Sequence, residues 1–271
     1  MSTADDLKAK TTAAYNAAAD FYDDPANVWD RFGRRTIERL QLPLGARVLD
    51  VCCGSGAAAI PAAEIVGPRG FVLGVDLARE MLALARAKAR ERRLQNIDFR
   101  LGDMLALPAP VSQFDVVVCV FGIFFAADMP RAVNELWRVV CPGGKLAITT
   151  WGPNVLEPAS AAFWSSVREI RPDLYKGFNP WDRISDPPSV HALLRAGGID
   201  HAEVVAEPGT HRIPTPEAWW TAVLGSGLRG TLEQLDPRSR ERVRTANLDF
   251  IRTWGIRSVE ANVVYAVATK N

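Results

Sequence analysis

Between Arg47 and Thr150 the sequence alternates five short apolar runs with helical stretches, an order few folds accept. The runs are Arg47–Val51, Phe71–Val75, Ile97–Leu101, Phe114–Val120 and Leu146–Thr150. Phe114–Val120 carries four valines, as expected of a strand covered on both faces. Ala57–Val66, Ala78–Arg93 and Met129–Val140 read as helices. In the second, Met81, Leu82, Ala85 and Ala89 share one face, with Arg and Lys opposite. Pro61 is expected to distort the first of them near its start. Pro142-Gly143-Gly144 predicts a turn before the fifth run. Strands joined through helices give right-handed crossovers and a parallel sheet. The fold class is therefore α/β, doubly wound.

The flanks do not continue this rhythm. Residues 1–45 are rich in Ala and aromatics, with Tyr15, Phe21, Tyr22, Trp29 and Phe32, and read as a helical cap. Residues 46–150 form the core. Residues 151–200 hold Trp151, Phe163, Trp164, Tyr175, Phe178 and Trp181 among six prolines, which predicts an aromatic-rich insertion or lid. Residues 201–271 complete the sheet, with strands at Glu203–Ala206 and Asn262–Thr269 and a helical stretch of roughly 50 residues between them. A chain of 271 residues fits one domain elaborated in this way.

Composition removes several function classes. The net charge of +1 argues against electrostatic capture of nucleic acid. The longest uncharged apolar run, Val116–Ala127, falls short of the roughly 18 residues that span a bilayer. Met1-Ser-Thr-Ala-Asp-Asp6 lacks the basic and apolar regions of a signal peptide. Cys52, Cys53, Cys119 and Cys141 show no C-x-x-C or Cys/His ligand spacing, so reduced thiols and no metal site are expected. These features predict a soluble, cytoplasmic protein without integral membrane association. Monomer and homodimer both stay open.

The chemistry concentrates in Val48-Leu-Asp-Val-Cys-Cys-Gly-Ser-Gly56, a strand running into a glycine turn that opens a helix. Glycine lets backbone approach a ligand, and the helix start offers free N–H groups. Asp76 ends the next strand, 20 residues beyond Gly56, where a carboxylate can accept both hydroxyls of a ribose. Two readings compete. Gly54-Ser-Gly56-Ala-Ala-Ala59 fits the G-x-G-x-x-A of an NAD(P)-dependent oxidoreductase. The alternative ligand is S-adenosylmethionine (SAM). Asp50, just before the turn, would sit awkwardly beside a pyrophosphate but suits a ligand carrying a sulfonium and an ammonium. Gly102-Asp103-Met104 offers a carboxylate for an adenine amine, with Leu77 and Leu105 as apolar walls. None of the four tyrosines is followed by Lys four residues later, so the Tyr-x-x-x-Lys relay of short-chain dehydrogenases is missing.

At these residues the chain resembles the class I SAM-dependent methyltransferases, over roughly residues 45–150. Asp50–Gly56 resembles the family's first motif, Asp76 its ribose acid, and Gly102–Met104 its adenine-side motif. Phe114–Val118 resembles its fourth-strand motif and Cys141–Gly144 its turn before strand five. The Asp-x-Cys-Cys-Gly form and the leading Tyr15-Asn-x-x-Ala18 and Phe21-Tyr22-Asp23 resemble the ubiquinone/menaquinone C-methyltransferase group. Cys52 departs from the motif by replacing its first glycine. Phe124-Phe125 replaces a His-His pair, which removes one obvious base. The resemblance implies a seven-stranded sheet in the order 3-2-1-4-5-7-6 with the seventh strand antiparallel. It implies SAM as cofactor, held by Tyr15, Asp50, Cys52, Gly54, Ser55, Gly56, Asp76, Leu77, Met81, Gly102, Asp103, Met104, Val120 and Phe121.

Methyl transfer from a sulfonium asks the protein mainly to exclude water and to align the acceptor. An aromatic wall suits this, because it stacks flat molecules and tolerates positive charge. Tyr22, Trp29, Phe124 and Trp151 are the expected wall for a small, apolar or aromatic acceptor. Tyr22 and His211 are the candidates for a catalytic group. A SAM-binding protein without catalysis is the further alternative.

Overall fold

The structure is a computed structural model that describes residues 4–24, 28–107 and 109–271. The start of the chain, read above against a signal peptide, lies partly outside them, at residues 1–3. Strands β1 (Arg47–Val51), β2 (Phe71–Asp76), β3 (Ile97–Leu101), β4 (Phe114–Val120), β5 (Val140–Trp151), β6 (Glu203–Glu207) and β9 (Val263–Thr269) form one sheet. Its order is β3-β2-β1-β4-β5-β9-β6. The pairs from β3 through β5 are parallel, and β9 runs antiparallel to both β5 and β6. This is the order and the single reversal that the family resemblance implies.

Alternation along each strand divides the core between two faces. Val48, Val72 and Val116 point to the side covered by α2 (Trp29–Leu40), α3 (Ala59–Val66) and α4 (Arg79–Glu91). Leu49, Leu73 and Val117 point to the side covered by α5 (Met129–Arg138) and α7 (Pro187–Ala196). Pro61 falls in the first turn of α3, where its missing N–H has no partner to lose, so it leaves the helix intact. Asp128 caps α5 by accepting from the Arg131 N–H at 3.0 Å.

Two elements differ from the sequence expectation. Pro142-Gly143-Gly144 does not break the chain before β5. Its residues are taken into the strand as a bulge, because Phe114 pairs with Val140 while Val116 already pairs with Lys145. The stretch between β6 and β9 is not wholly helical. It contains β7 (Thr210–Arg212) and β8 (Ser258–Glu260), a separate antiparallel pair flanking α8 (Pro216–Leu224), α9 (Arg229–Leu232) and α10 (Pro237–Thr253). Three-residue strands are too short for periodicity to reveal.

A third apolar cluster stands apart from the sheet. It joins Phe163 and Val167 of α6 (Ala159–Ile170) to Trp219 and Val223 of α8 and to Val243 and Ile251 of α10. Helix α1 (Ala4–Tyr22) packs against α4, α8 and α9, and so bridges this layer and the core. Helix α2 presses on the chain just after the glycine turn. A Cβ at Gly33 would lie 2.3 Å from the Ala57 carbonyl oxygen. Backbone cannot yield to it, so Gly33→Ala should cost about 3 kcal/mol in urea denaturation, through overpacking that pushes α2 off the turn.

Candidate functional site

The turn from β1 into α3 is built on left-handed backbone. Cys52, Gly54 and Gly56 have φ of 59°, 52° and 88°. Cys52 thus holds a glycine-like conformation despite its Cβ, at a strain of roughly 1–2 kcal/mol. The Asp76 carboxylate ties the turn to β2. It accepts from the Gly54 N–H at 2.9 Å and from the Ala78 N–H at 2.8 Å. Burial raises its pKa, and those N–H groups partly offset the rise.

Asp50 lies beneath the turn and is 1% exposed; among the described residues neither carboxylate oxygen has a well-formed hydrogen bond, and the nearby Ala59 N–H makes only a weak one. Burial pushes its pKa up to about 8; the Ala59 N–H on its side lowers it and the nearby Asp76 raises it further. A buried acid without a well-formed hydrogen bond is costly, so this atom pair is open to a cationic group.

Helix α1 closes over the turn. Tyr15 and Tyr22 pack with Ala18, Ala78 and Met81. The Tyr22 hydroxyl lies 3.3 Å from where a Cβ on Gly54 would stand. Burial holds both phenols above their ordinary pKa, with the charge of Asp76 adding to it, so both stay protonated donors. Two polar clasps tie α1 down. Lys8 Nζ donates to Asp103 at 2.6 Å. At the other end, Ser55 Oγ donates to Asp23 at 2.6 Å and Lys88 Nζ donates to Asp23 at 2.9 Å.

Aromatic rings continue from α1 along the carboxyl ends of the strands. Tyr22 stacks on Trp29 with centroids 5.0 Å apart, and Tyr15 meets Phe125 edge-on at 5.5 Å. Phe124 lies beside Phe125 and reaches Trp181 at 5.5 Å. On the other side, Trp29 approaches Trp151, which stacks on Phe121 at 3.9 Å. Phe121 has φ of 53°, a left-handed value that turns its ring from the end of β4 onto Trp151.

The residues singled out in sequence are thus distributed as follows. Tyr15, Tyr22, Asp50, Cys52, Gly54, Ser55, Gly56, Asp76 and Met81 meet at the turn and under α1. Leu77 is half-buried just after Asp76. Gly102, Asp103 and Met104 follow β3, and Asp103 is occupied by Lys8 and by the Leu105 N–H. Val120, Phe121, Phe124, Trp29 and Trp151 belong to the ring-lined region or pack against it. His211 sits on β7 opposite Val259, an element separate from those that meet at the turn. Sequence reading missed Lys8, Asp23 and Lys88 as clasps, while Phe125 of the apolar Phe124-Phe125 pair and Trp181 of the expected insertion or lid both join the wall. Only a fold brings residues 65 to 95 positions apart into such contacts.

A methyltransferase-domain model matches residues 48–144, the segment that carries the turn, Asp76 and Asp103. The demethylmenaquinone methyltransferase of Listeria welshimeri is 37% identical over 46% of this chain and 53% of its own. The chain thus spans about half the length of the first curated relatives it matches. The nocamycin O-methyltransferase of Saccharothrix syringae is 31% identical over 82% of this chain and 86% of its own. A SAM-dependent methyltransferase structure from Aquifex aeolicus, 23% identical, superposes with a TM-score of 0.55 over 70% of this chain and 91% of its own, a likeness of fold. With the sheet order, the glycine turn and a relative matched along most of both chains, the chain belongs to the class I SAM-dependent methyltransferases.

Proposed function

We propose that the chain transfers a methyl group from SAM to a small, mainly apolar acceptor enclosed between α1 and the aromatic wall. The observation that carries this is Asp50, an acid buried without a well-formed hydrogen bond under a glycine turn. A cation beside it would supply what the fold lacks, and a pyrophosphate would not. SAM brings an activated methyl group on a sulfonium and an ammonium group of its own. In this reading the turn N–H groups and Asp76 hold the ribose side, and Leu77, Met81, Gly102, Asp103 and Met104 hold the adenine side. Tyr15, Cys52, Ser55, Val120 and Phe121 line the remainder. Tyr22 caps the site from α1 and, as a neutral phenol, excludes water and donates a hydrogen bond. The rings of Trp29, Phe124 and Trp151 stack the acceptor.

Among the described residues no helix is long and apolar enough to cross a membrane. The same reading has the enzyme act in the cytoplasm on a small molecule and not on nucleic acid. A net charge of +1 and four free cysteines support it.

Calorimetry tests the proposal. Binding heat with SAM and with S-adenosylhomocysteine is expected, and heat from NADH alone would overturn it. Asp76→Ala should weaken SAM binding about 100-fold, since two hydrogen bonds to a charged acceptor are worth about 3 kcal/mol. Circular dichroism on the same sample checks that the variant is folded.

A further inference from the structure

The aromatic wall holds two polar atoms that no described residue satisfies. The indole N–H groups of Trp29 and Trp181 are buried, and among the described residues neither has a hydrogen-bond partner. They belong to one arc of touching rings. Phe124, Phe125, Tyr15 and Tyr22 lie between them, each neighbouring pair with centroids 4.7–6.1 Å apart. An indole N–H can only donate, and a buried donor left unpaired is costly.

Among the described residues the acids nearest this wall are already taken, and Asp50 lies beneath the glycine turn, where the methyl-transfer reading gives it to the SAM cation. Asp76 is committed to the Gly54 and Ala78 N–H groups, Asp23 to Ser55 and Lys88, and Asp103 to Lys8. Tyr15 and Tyr22 are partly buried phenols that hold their protons. His191 and His201 line an open cleft at the β6 edge, and His211 lies in β7. Donors without a base suit an acceptor that arrives already ionised, or nearly so. They suit poorly an amine, whose lone pair must stay free to attack.

We infer that Trp29 and Trp181 are specificity-determining residues that bind oxygen atoms of a planar, weakly acidic phenol or enol, which loses its proton to solvent before or during entry. The inference rests on the methyl-transfer reading above. In the transfer to such an oxygen, the oxyanion's lone pair forms the O–CH3 bond as the C–S bond breaks, with its electrons going to sulfur. No proton then remains for the protein to remove. An enolate reacting at carbon uses the same two contacts, with its oxygens held while the adjacent carbon attacks.

The test uses two planar probes of one shape, 7-hydroxycoumarin and 7-aminocoumarin. Each is titrated by fluorescence at pH 8 into the full chain saturated with S-adenosylhomocysteine. The hydroxy probe should bind at least tenfold more tightly than the amine. Trp181→Phe and Trp29→Phe should each weaken the hydroxy probe about tenfold and leave the amine within threefold. Equal affinity for the two probes, no binding of either, or an unchanged preference in both Phe variants would overturn the inference. Absence of S-adenosylhomocysteine binding in the parent chain would overturn the methyl-transfer reading instead. Melting temperature checks that the variants are folded. Should Trp29→Phe unfold, Trp181→Phe decides alone, because its ring touches Phe124 and not the tyrosines over the turn.

Discussion

Replacing Asp50 by Asn should raise the melting temperature of the free protein at pH 8.5 and weaken SAM binding about 100-fold. Both effects come from one buried carboxyl. In the native state its pKa is raised to about 8, against an ordinary value near 3.8. The folded protein therefore binds more protons than the unfolded chain between those two values. The stability this carboxyl contributes is full below pH 4, falls as pH rises towards 8, and levels off above it. The whole shift sets an upper bound of about 6 kcal/mol. Asparagine cannot ionise, so the variant should lack that fall, and its melting temperature should be flat across the same window. Binding of a cation works in the opposite direction. SAM favours the ionised acid, so its affinity for the parent protein should rise with pH up to about 8, by as much as tenfold per unit. In the variant that rise should vanish. Scanning calorimetry from pH 5 to 9 and SAM titrations over the same range measure both. SAM affinity within threefold of the parent, or an unchanged pH slope, would remove Asp50 from the cofactor site.

Trp219→Ala should cost about 4 kcal/mol, the largest loss expected in the helical layer. Trp219 is wholly buried in the cluster of α6, α8 and α10. Its indole N–H donates to Asn247 Oδ1 at 3.0 Å. The Asn247 amide in turn donates to Ser166 Oγ at 3.1 Å and to the Val243 carbonyl at 2.8 Å. One side chain thus spans all three helices. The Ala variant leaves a cavity and a buried amide oxygen without a donor. Trp219→Phe keeps most of the volume and should lose only the hydrogen bond, about 2 kcal/mol. Urea denaturation gives the totals. Hydrogen exchange should show protection lost first in α6, α8 and α10, since the layer packs apart from the sheet clusters. A uniform loss across the sheet would show that the layer does not open by itself.

The two residues differ in how far the sequence exposes them. Asp50 stands out because its neighbours lie within a few positions: strand before, glycines after, helix next. Local order of that kind survives in a linear reading. The five parallel strands are legible for the same reason, as apolar runs long enough to show their period. Trp219-Trp220 is legible only as apolar, since Trp219's partner Asn247 is 28 positions away and Asn247's own partner Ser166 is 81 away. Strands β7 and β8 are three residues each and hide within polar loops. The bulge in β5 is hidden too, because Pro-Gly-Gly signals a turn whether or not a neighbouring strand pairs past it.

Short-range pattern in the sequence was enough for the doubly wound core, the glycine turn, Asp50 and the spaced Asp76, because backbone conformation and strand period are local properties. Tertiary structure decided the rest. It brought α1 down through Lys8–Asp103 and Asp23–Ser55–Lys88, joined α6 to helices beyond β6, and aligned rings from five separate segments into one wall. Those contacts depend on which surfaces meet once apolar faces are buried. No short stretch of sequence carries that information, since either partner alone reads as an ordinary surface charge or core ring.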